Sequence, residues 1–234
     1  MNIHSFEDYE QMSGRAAAMV LEEIEKKKDL LICAPTGNSP TGMYQSLAQT
    51  FQQKPKIFNE LRVLKLDEWV GLPAEHPGSC EYYLRQQLLD PLKISADRYA
   101  GFLPNPENPQ NDCERVKQLI ENGTGIDLCI LGLGKNGHIG FNEPAEFLQP
   151  HCHVAQLSEQ SKKQGIVEGY DEKPEYGITL GMQEILSAKK IILLVYGEGK
   201  RDATAVLLSK NITTEFPATF LWLHPNVDCL LVKD

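Results

Sequence analysis

No run in this 234-residue chain is apolar for long enough to cross a bilayer, which takes about 20 residues as a helix. Its six cysteines include no C-x-x-C pair, so no disulfide framework is encoded. Cys33, Cys129 and Cys229 fall inside apolar runs and read as buried thiols, which fits a reducing cytoplasm. Basic residues are the minority: 23 Lys and Arg face 32 Asp and Glu, for a net charge of −9. That balance argues against a nucleic-acid surface, which needs clustered Lys and Arg. A small anionic ligand needs only two or three local donors and is still allowed. Repeats and low-complexity linkers are missing too, so residues 1–234 are expected to form one domain. The opening Met1-Asn2-Ile3-His4 passes at once into a charged amphipathic pattern, which predicts no secretory leader.

What is present is a 41% hydrophobic fraction dealt out in short runs and helical patterns. Leu30–Ala34, Arg62–Leu66, Ile126–Leu131, Tyr176–Leu180, Lys190–Tyr196 and Val227–Val232 read as strands, with Val154–Leu157 a shorter one. A first helix is expected to start at Ser5-Phe-Glu-Asp8, with Ser5 as its cap, and to bury Tyr9, Met12, Ala16, Val20 and Ile24. Further helices are predicted around Met43–Leu47 and over Ser79–Leu92, Asp112–Asn122, Met182–Leu186 and Lys200–Ser209, with a weak one at Glu159–Glu168. This alternation predicts an α/β fold with a mostly parallel central sheet covered on both faces. The polar, weakly patterned stretch 148–175 is the expected lid.

Three polar loops follow the carboxyl ends of strands, and in a parallel sheet those ends share one edge. The densest is Gly132 to Pro144, GLGKNGHIGFNEP. It holds His138, the one residue there of the type suited to moving protons at neutral pH, with Glu143 five residues on and Asn136 before it. Such a loop is either a glycine turn with a surface histidine or a site in which His138 moves a proton, oriented by Glu143 and Asn136. Pro35 to Pro40, PTGNSP, lies between a strand and a helix. Thr36, Gly37, Asn38 and Ser39 there suit either a phosphate or an ordinary capped turn, and the lysine of a nucleotide-triphosphate loop is absent. In Leu64 to Pro73, the adjacent Asp67 and Glu68 are either a solvated turn or a strand end that aims one carboxylate into a dry cleft as a general base. A fourth stretch, Tyr196 to Ala203, starts a helix at Lys200, which is either a surface lysine or a partner for an anion. His151-Cys152-His153 alternates faces if it is a strand, so Cys152 points away from both histidines and no metal site is expected.

Together these stretches resemble the glucosamine-6-phosphate deaminase/isomerase family over nearly the whole chain. PTGNSP is similar to its phosphate loop, LDEWVGLP to its MDEYVGLP-type segment, and GKNGHIGFNEP to its GNDGHIAFNEP-type loop; LHPN at 223–226 also matches. The variants KLDEW, ILGLGKNGH, LQPHCH, GEGKRDA and FLWLH resemble the branch that deaminates galactosamine 6-phosphate, the C4 epimer. The resemblance implies a Rossmann-like three-layer α/β sandwich that needs neither metal nor cofactor. It implies Asp67 as the base between C2 and C1, His138 as the ring opener assisted by Glu143, and Gly37, Asn38, Ser39 and Lys200 on the 6-phosphate. Two departures stand out. Asn136 replaces an aspartate of the glucosamine enzymes, which throws more of the imidazolium's stabilisation onto Glu143. No arginine occurs in Ser158–Tyr170, where those enzymes carry one for phosphate, so Lys162 or Lys163 substitutes or Lys200 acts alone. The chain also lacks the C-terminal extension of the allosteric hexameric members, so a monomer or small homo-oligomer without their regulation is expected.

Three alternatives remain at this point. One is the gluco epimer as substrate. Another is a 6-phosphogluconolactonase, which shares G-x-G-x-x-G-H but usually follows the histidine with a Ser-Leu-Phe-Pro-type segment rather than Phe141-Asn-Glu-Pro144. The last is a sugar-phosphate sensor that has lost its chemistry, although Asp67, His138 and Glu143 are all present.

Overall fold

Every residue of strand β2 (Leu31–Ala34) is buried, and its side chains divide between two cores. Leu31 and Cys33 join one apolar cluster and Ile32 and Ala34 the other. A strand buried on both faces belongs in the middle of a three-layer arrangement, and the computed structural model has that architecture. It describes residues 1–159, 161–163 and 174–233. Seven strands form a wholly parallel sheet. From one edge they run β1 (Asn2–Phe6), β10 (Val227–Val232), β9 (Lys190–Val195), β6 (Leu128–Gly132), β2, β3 (Arg62–Lys65) and β5 (Tyr99–Ala100). Helices α1 (Tyr9–Lys26) and α2 (Asn38–Gln53) supply Met12, Val20, Met43 and Leu47 to one core. On the other face lie α4 (Pro109–Glu121), α5 (Met182–Leu186), α6 (Arg201–Leu208) and a 3-10 segment, Pro217–Leu223.

The strand order places the site. From β2 the chain moves one way to β3 and β5, then returns to β6 and continues the other way to β9 and β10. The direction reverses between β2 and β6, so the loops after these strands part and leave a crevice at their carboxyl ends. PTGNSP and GLGKNGHIGFNEP are those two loops.

The chain start differs from the sequence expectation. Asn2–Phe6 is an edge strand parallel to β10, not a helix start, and the cap of α1 is Asp8, which accepts from the Gln11 N–H at 2.8 Å. Ser5 pairs with Leu231 in the sheet and caps nothing. An additional sheet also appears: β4 (Asp67–Trp69), β8 (Tyr176–Thr179) and β7 (His153–Gln156) pair antiparallel. The helix expected over Ser79–Leu92 is α3 (Cys80–Leu84) followed by a wider π turn, Arg85–Leu89. Of the expected lid, 160 and 164–173 lie outside the described residues, as does most of the helix expected at Glu159–Glu168.

Asp127, just before β6, ties the amino ends of the central strands together. It accepts from the Leu31 N–H at 2.9 Å, Lys27 at 2.6 Å and Lys189 at 2.8 Å. Burial opposes its charge, but these donors outweigh that and hold the carboxyl below the ordinary range. Both lysines keep part of their side chains in water, so Asp127→Asn should cost only about 1–2 kcal/mol. A depressed carboxyl stabilises above its unfolded value near pH 4 and loses that contribution as pH falls through the folded one. The difference in Tm between wild type and variant should therefore be flat from about pH 5 to 8 and close below about pH 4 in calorimetric scans.

Candidate active site

Leu66 is where the site is assembled. Its N–H donates to Ala34 O at 3.2 Å, continuing the parallel register, while its carbonyl accepts from Leu180 N at 3.1 Å. The chain thus leaves one sheet and enters the other, and the next residue, Asp67, is delivered at the carboxyl edge. Asp67 is 6% exposed. Burial, with a smaller push from the neighbouring Glu68 and an opposing pull from Lys65, raises its carboxyl to about 7. A carboxylate poised there is a usable general base at neutral pH. The buried Cys80 thiol approaches it, with Sγ 4.0 Å from Oδ1.

β8 connects this strand to the histidine loop. Thr179 stands opposite Asp67 in the ladder, and its hydroxyl accepts from the Phe141 N–H at 3.1 Å. The loop then folds back as the spacing from His138 to Glu143 suggests. His138 Nδ1 lies 3.5 Å from Glu143 Oε2 and 3.2 Å from the Ser161 hydroxyl. Burial opposes the charge on Glu143, but hydrogen bonding and attraction from His138, with Ser161 and Asn136, hold its carboxyl at about 2. It stays ionised and is suited to support an imidazolium. Asn136 does not hydrogen-bond to the ring itself. Its amide donates to Glu143 Oε2 at 2.7 Å, and its oxygen accepts from the His138 N–H at 3.2 Å. It therefore meets the histidine through Glu143 and the backbone.

Two glycines make the geometry feasible. Gly137 has φ +88° and lies against Phe216, whose ring a Cβ would overlap at 2.4 Å. Gly134 packs beneath the imidazole, where a Cβ would stand 2.4 Å from Cδ2 and 2.6 Å from Nε2. With Nδ1 occupied by Glu143 and Ser161, the Nε2 edge is the one left for a substrate.

The remaining predicted residues gather at the other side of the crevice. Gly37 caps α2 with no side-chain capping bond, so the N–H groups of its first turn face the edge where Thr36, Asn38 and Ser39 lie. The loop is braced from behind: the Tyr9 hydroxyl donates to Asn38 O at 2.6 Å and the Tyr83 hydroxyl to Gly37 O at 2.7 Å. Thr36 reaches Cys80 at 3.6 Å, and the Ser39 hydroxyl reaches Tyr196 O at 3.5 Å. Lys200, at the start of α6, donates to Leu133 O in the histidine loop. Burial and the nearby Lys135 cation lower it to about 8. No carboxylate of the described residues pairs with Lys200 or Lys135, so this corner has cationic charge to offer an anion. Lys162, considered for that task, is held by Glu159 at 2.9 Å and Glu175 at 2.5 Å; the Lys163 side chain lies outside the described residues. At His151-Cys152-His153, Cys152 is buried, His151 pairs with Glu184 at 2.8 Å, and His153 bonds to His151 O.

Residues 7–230 match the family described as glucosamine-6-phosphate isomerases/6-phosphogluconolactonase. The chain belongs to this family. It is 42% identical to AgaI of Escherichia coli (strain K12), a deaminase by name, over 98% of this chain and 91% of that one. It is 38% identical to the glucosamine-6-phosphate deaminase of Bacillus pumilus (strain SAFR-032), over 100% and 98%. A monomeric glucosamine-6-phosphate deaminase of known structure superposes with a TM-score of 0.93 at 32% identity, covering 100% of this chain and 98% of that one. The 6-phosphogluconolactonase of Thermotoga maritima shares the fold at TM-score 0.75 and 18% identity, with 99% of each chain covered. The chain is thus an enzyme of the isomerase/deaminase class.

Sequence reasoning missed Ser161, Cys80 and Lys135 as contributors. Only Lys135, inside the glycine-rich motif, carried a local signal. Substituting Gly134 tests the histidine's placement. Gly134→Ala should push the ring off its seat and lower the kcat for ammonia release by about 10²-fold, since roughly 1 Å of misplacement is that costly. Thermal unfolding should show the variant still folded.

Proposed function

We propose that this enzyme converts galactosamine 6-phosphate and water to tagatose 6-phosphate and ammonia, acting as one catalytic unit on a small-molecule substrate. The observation that carries the deaminase reading is the His138–Glu143 pair, 3.5 Å apart on one loop. The lactonases usually carry a Ser-Leu-Phe-Pro-type segment where this chain has Phe141-Asn-Glu-Pro144. The galacto epimer is favoured by the KLDEW, LQPHCH and GEGKRDA variants. The names of the other relatives favour the gluco epimer as the second reading.

In this mechanism Lys200, with Thr36 and the first-turn N–H groups of Gly37, Asn38 and Ser39, holds the 6-phosphate. His138 passes a proton at the ring oxygen through Nε2 and opens the pyranose, its positive form matched by Glu143, which Asn136 orients. The open-chain aldehyde acidifies the C2 proton. Asp67 takes that proton, leaving an enolamine, and returns a proton to C1. The resulting ketimine adds water at C2 and expels ammonia. C1 is reduced from aldehyde to alcohol and C2 is oxidised from amine to ketimine within the same molecule, so the step needs no external oxidant or reductant.

The test is ammonia release from galactosamine 6-phosphate and glucosamine 6-phosphate, assayed side by side. Preference for the galacto epimer is expected. Preference for the gluco epimer would keep the mechanism but overturn the specificity, and no ammonia from either would overturn the assignment.

The pH dependence follows from two groups. Asp67 must be ionised, so kcat/KM should fall as pH drops through about 7. Lys200 must be protonated to hold phosphate, so kcat/KM should fall again as pH rises through about 8. Glu143, at about 2, contributes no limb. Lys200→Met should raise KM by roughly 10- to 100-fold, the size of a lost charge-assisted bond, and remove the alkaline limb.

A further inference from the structure

Behind Asp67 lies a cluster of buried charges that the reaction as described does not use. Glu68 is wholly buried on the opposite face of β4, and its carboxylate is saturated. Oε1 accepts from Trp69 N and Cys80 N, each at 2.9 Å. Oε2 accepts from Glu81 N at 2.9 Å and from Lys65 Nζ at 2.7 Å. Lys65, also wholly buried, donates to Glu81 Oε2 at 2.8 Å, where the Tyr99 hydroxyl donates as well at 2.7 Å. Arg85 closes the cluster on Glu81 Oε1 at 2.9 Å. Dehydrating such an array is expensive, and well-packed apolar residues hold elements together as well or better. A task beyond stability is indicated.

We infer that Glu68, kept in place by Lys65, is a positioning residue for Asp67: it fixes where the base sits and how strongly it holds a proton. This rests on Asp67 being the base of the proposed reaction. The positional part follows from the bonds. By gripping the N–H groups of Trp69 and Cys80, Glu68 clamps the residue two after Asp67 and the residue whose thiol touches the Asp67 carboxylate. The electrostatic part follows from the neighbours. Cys80 from α3, Cys33 from β2 and Tyr44 from α2 also sense Asp67, but burial pushes all three up, so they stay neutral. Thr179, opposite on β8, is uncharged. The charges acting on Asp67 are then Glu68, which favours its protonated form, and Lys65, which opposes it.

The experiment is the pH profile of kcat/KM, measured with whichever amino sugar phosphate the wild type deaminates. Glu68→Gln should move the acid limb down by about one pH unit, because a like charge beside the base is gone. Lys65→Met should move it up. Glu81→Gln, the same charge change on the same lysine but at a carboxylate that is not among the charges acting on Asp67, should move it far less. Glu68→Gln with a lower Tm and kcat but an unmoved limb would make the cluster merely structural and overturn the inference. Asp67→Asn, run alongside, separates the two readings: substantial remaining turnover would refute Asp67 as base, whatever Glu68 does. Should Glu68→Gln fail to fold, Lys65→Met decides: an acid limb moved up is expected, and an unmoved limb would overturn the inference. An ordinary value near 4 for Asp67 in the unaltered protein, read by carboxyl 13C titration, would overturn it as well.

Discussion

Leu66 is hydrogen-bonded to both sheets, through its N–H to Ala34 and through its carbonyl to Leu180, and the active edge depends on that double attachment. A chain that stayed in the parallel sheet would carry Asp67 onward into its loop and into water. A chain that left without a partner would expose backbone groups that a buried site cannot leave unpaired. By passing directly from one ladder to the other, the backbone is satisfied throughout and the carboxylate is set down in a dry place. The other contacts are arranged around this point: Thr179 joins the histidine loop to β4, Cys80 joins Thr36 to Asp67, and Lys200 joins α6 to the histidine loop.

The same architecture separates the two carboxylates chemically. Among the described residues no cationic donor meets the oxygens of Asp67, and burial pushes it to about 7; Glu143 is less completely buried and is surrounded by His138, Ser161 and Asn136, and falls to about 2. One carboxyl is thereby able to exchange a proton near neutrality while the other remains a fixed counter-charge. Environments that drive like groups apart are how a single residue type fills two roles. The replacement of an acid by Asn136 fits this division. The amide supports Glu143 without adding a second negative charge beside the imidazole.

Much of this was legible in the sequence because it is local. Apolar runs such as Ile126–Leu131 and Lys190–Tyr196 mark the parallel strands, and the glycine-rich and acidic stretches fall at their carboxyl ends. The missed features depend on distant partners. Asn2–Phe6 has the exposed, alternating surface of an edge strand, and the acids that follow it look like a helix start although Asp8 alone is the cap. β4 is three residues long and carries two acids, a sequence that reads as a turn until Lys65 and the N–H groups of Cys80 and Glu81 are seen to satisfy Glu68. Ser161 meets His138 across 23 positions with no periodic signal between them. The 3-10 segment Pro217–Leu223, which backs Gly137 through the Ala218 N–H, is too short for a helical period.

The central claim is that one fixed carboxylate, Asp67, moves the proton between C2 and C1. The most direct test is turnover in deuterium oxide, with NMR reading the label at C1 of the ketose phosphate. A single base on one face of the enolamine predicts deuterium at one of the two C1 positions only, and none delivered by Asp67→Asn. Label spread equally over both positions, or unchanged labelling by the variant, would contradict it.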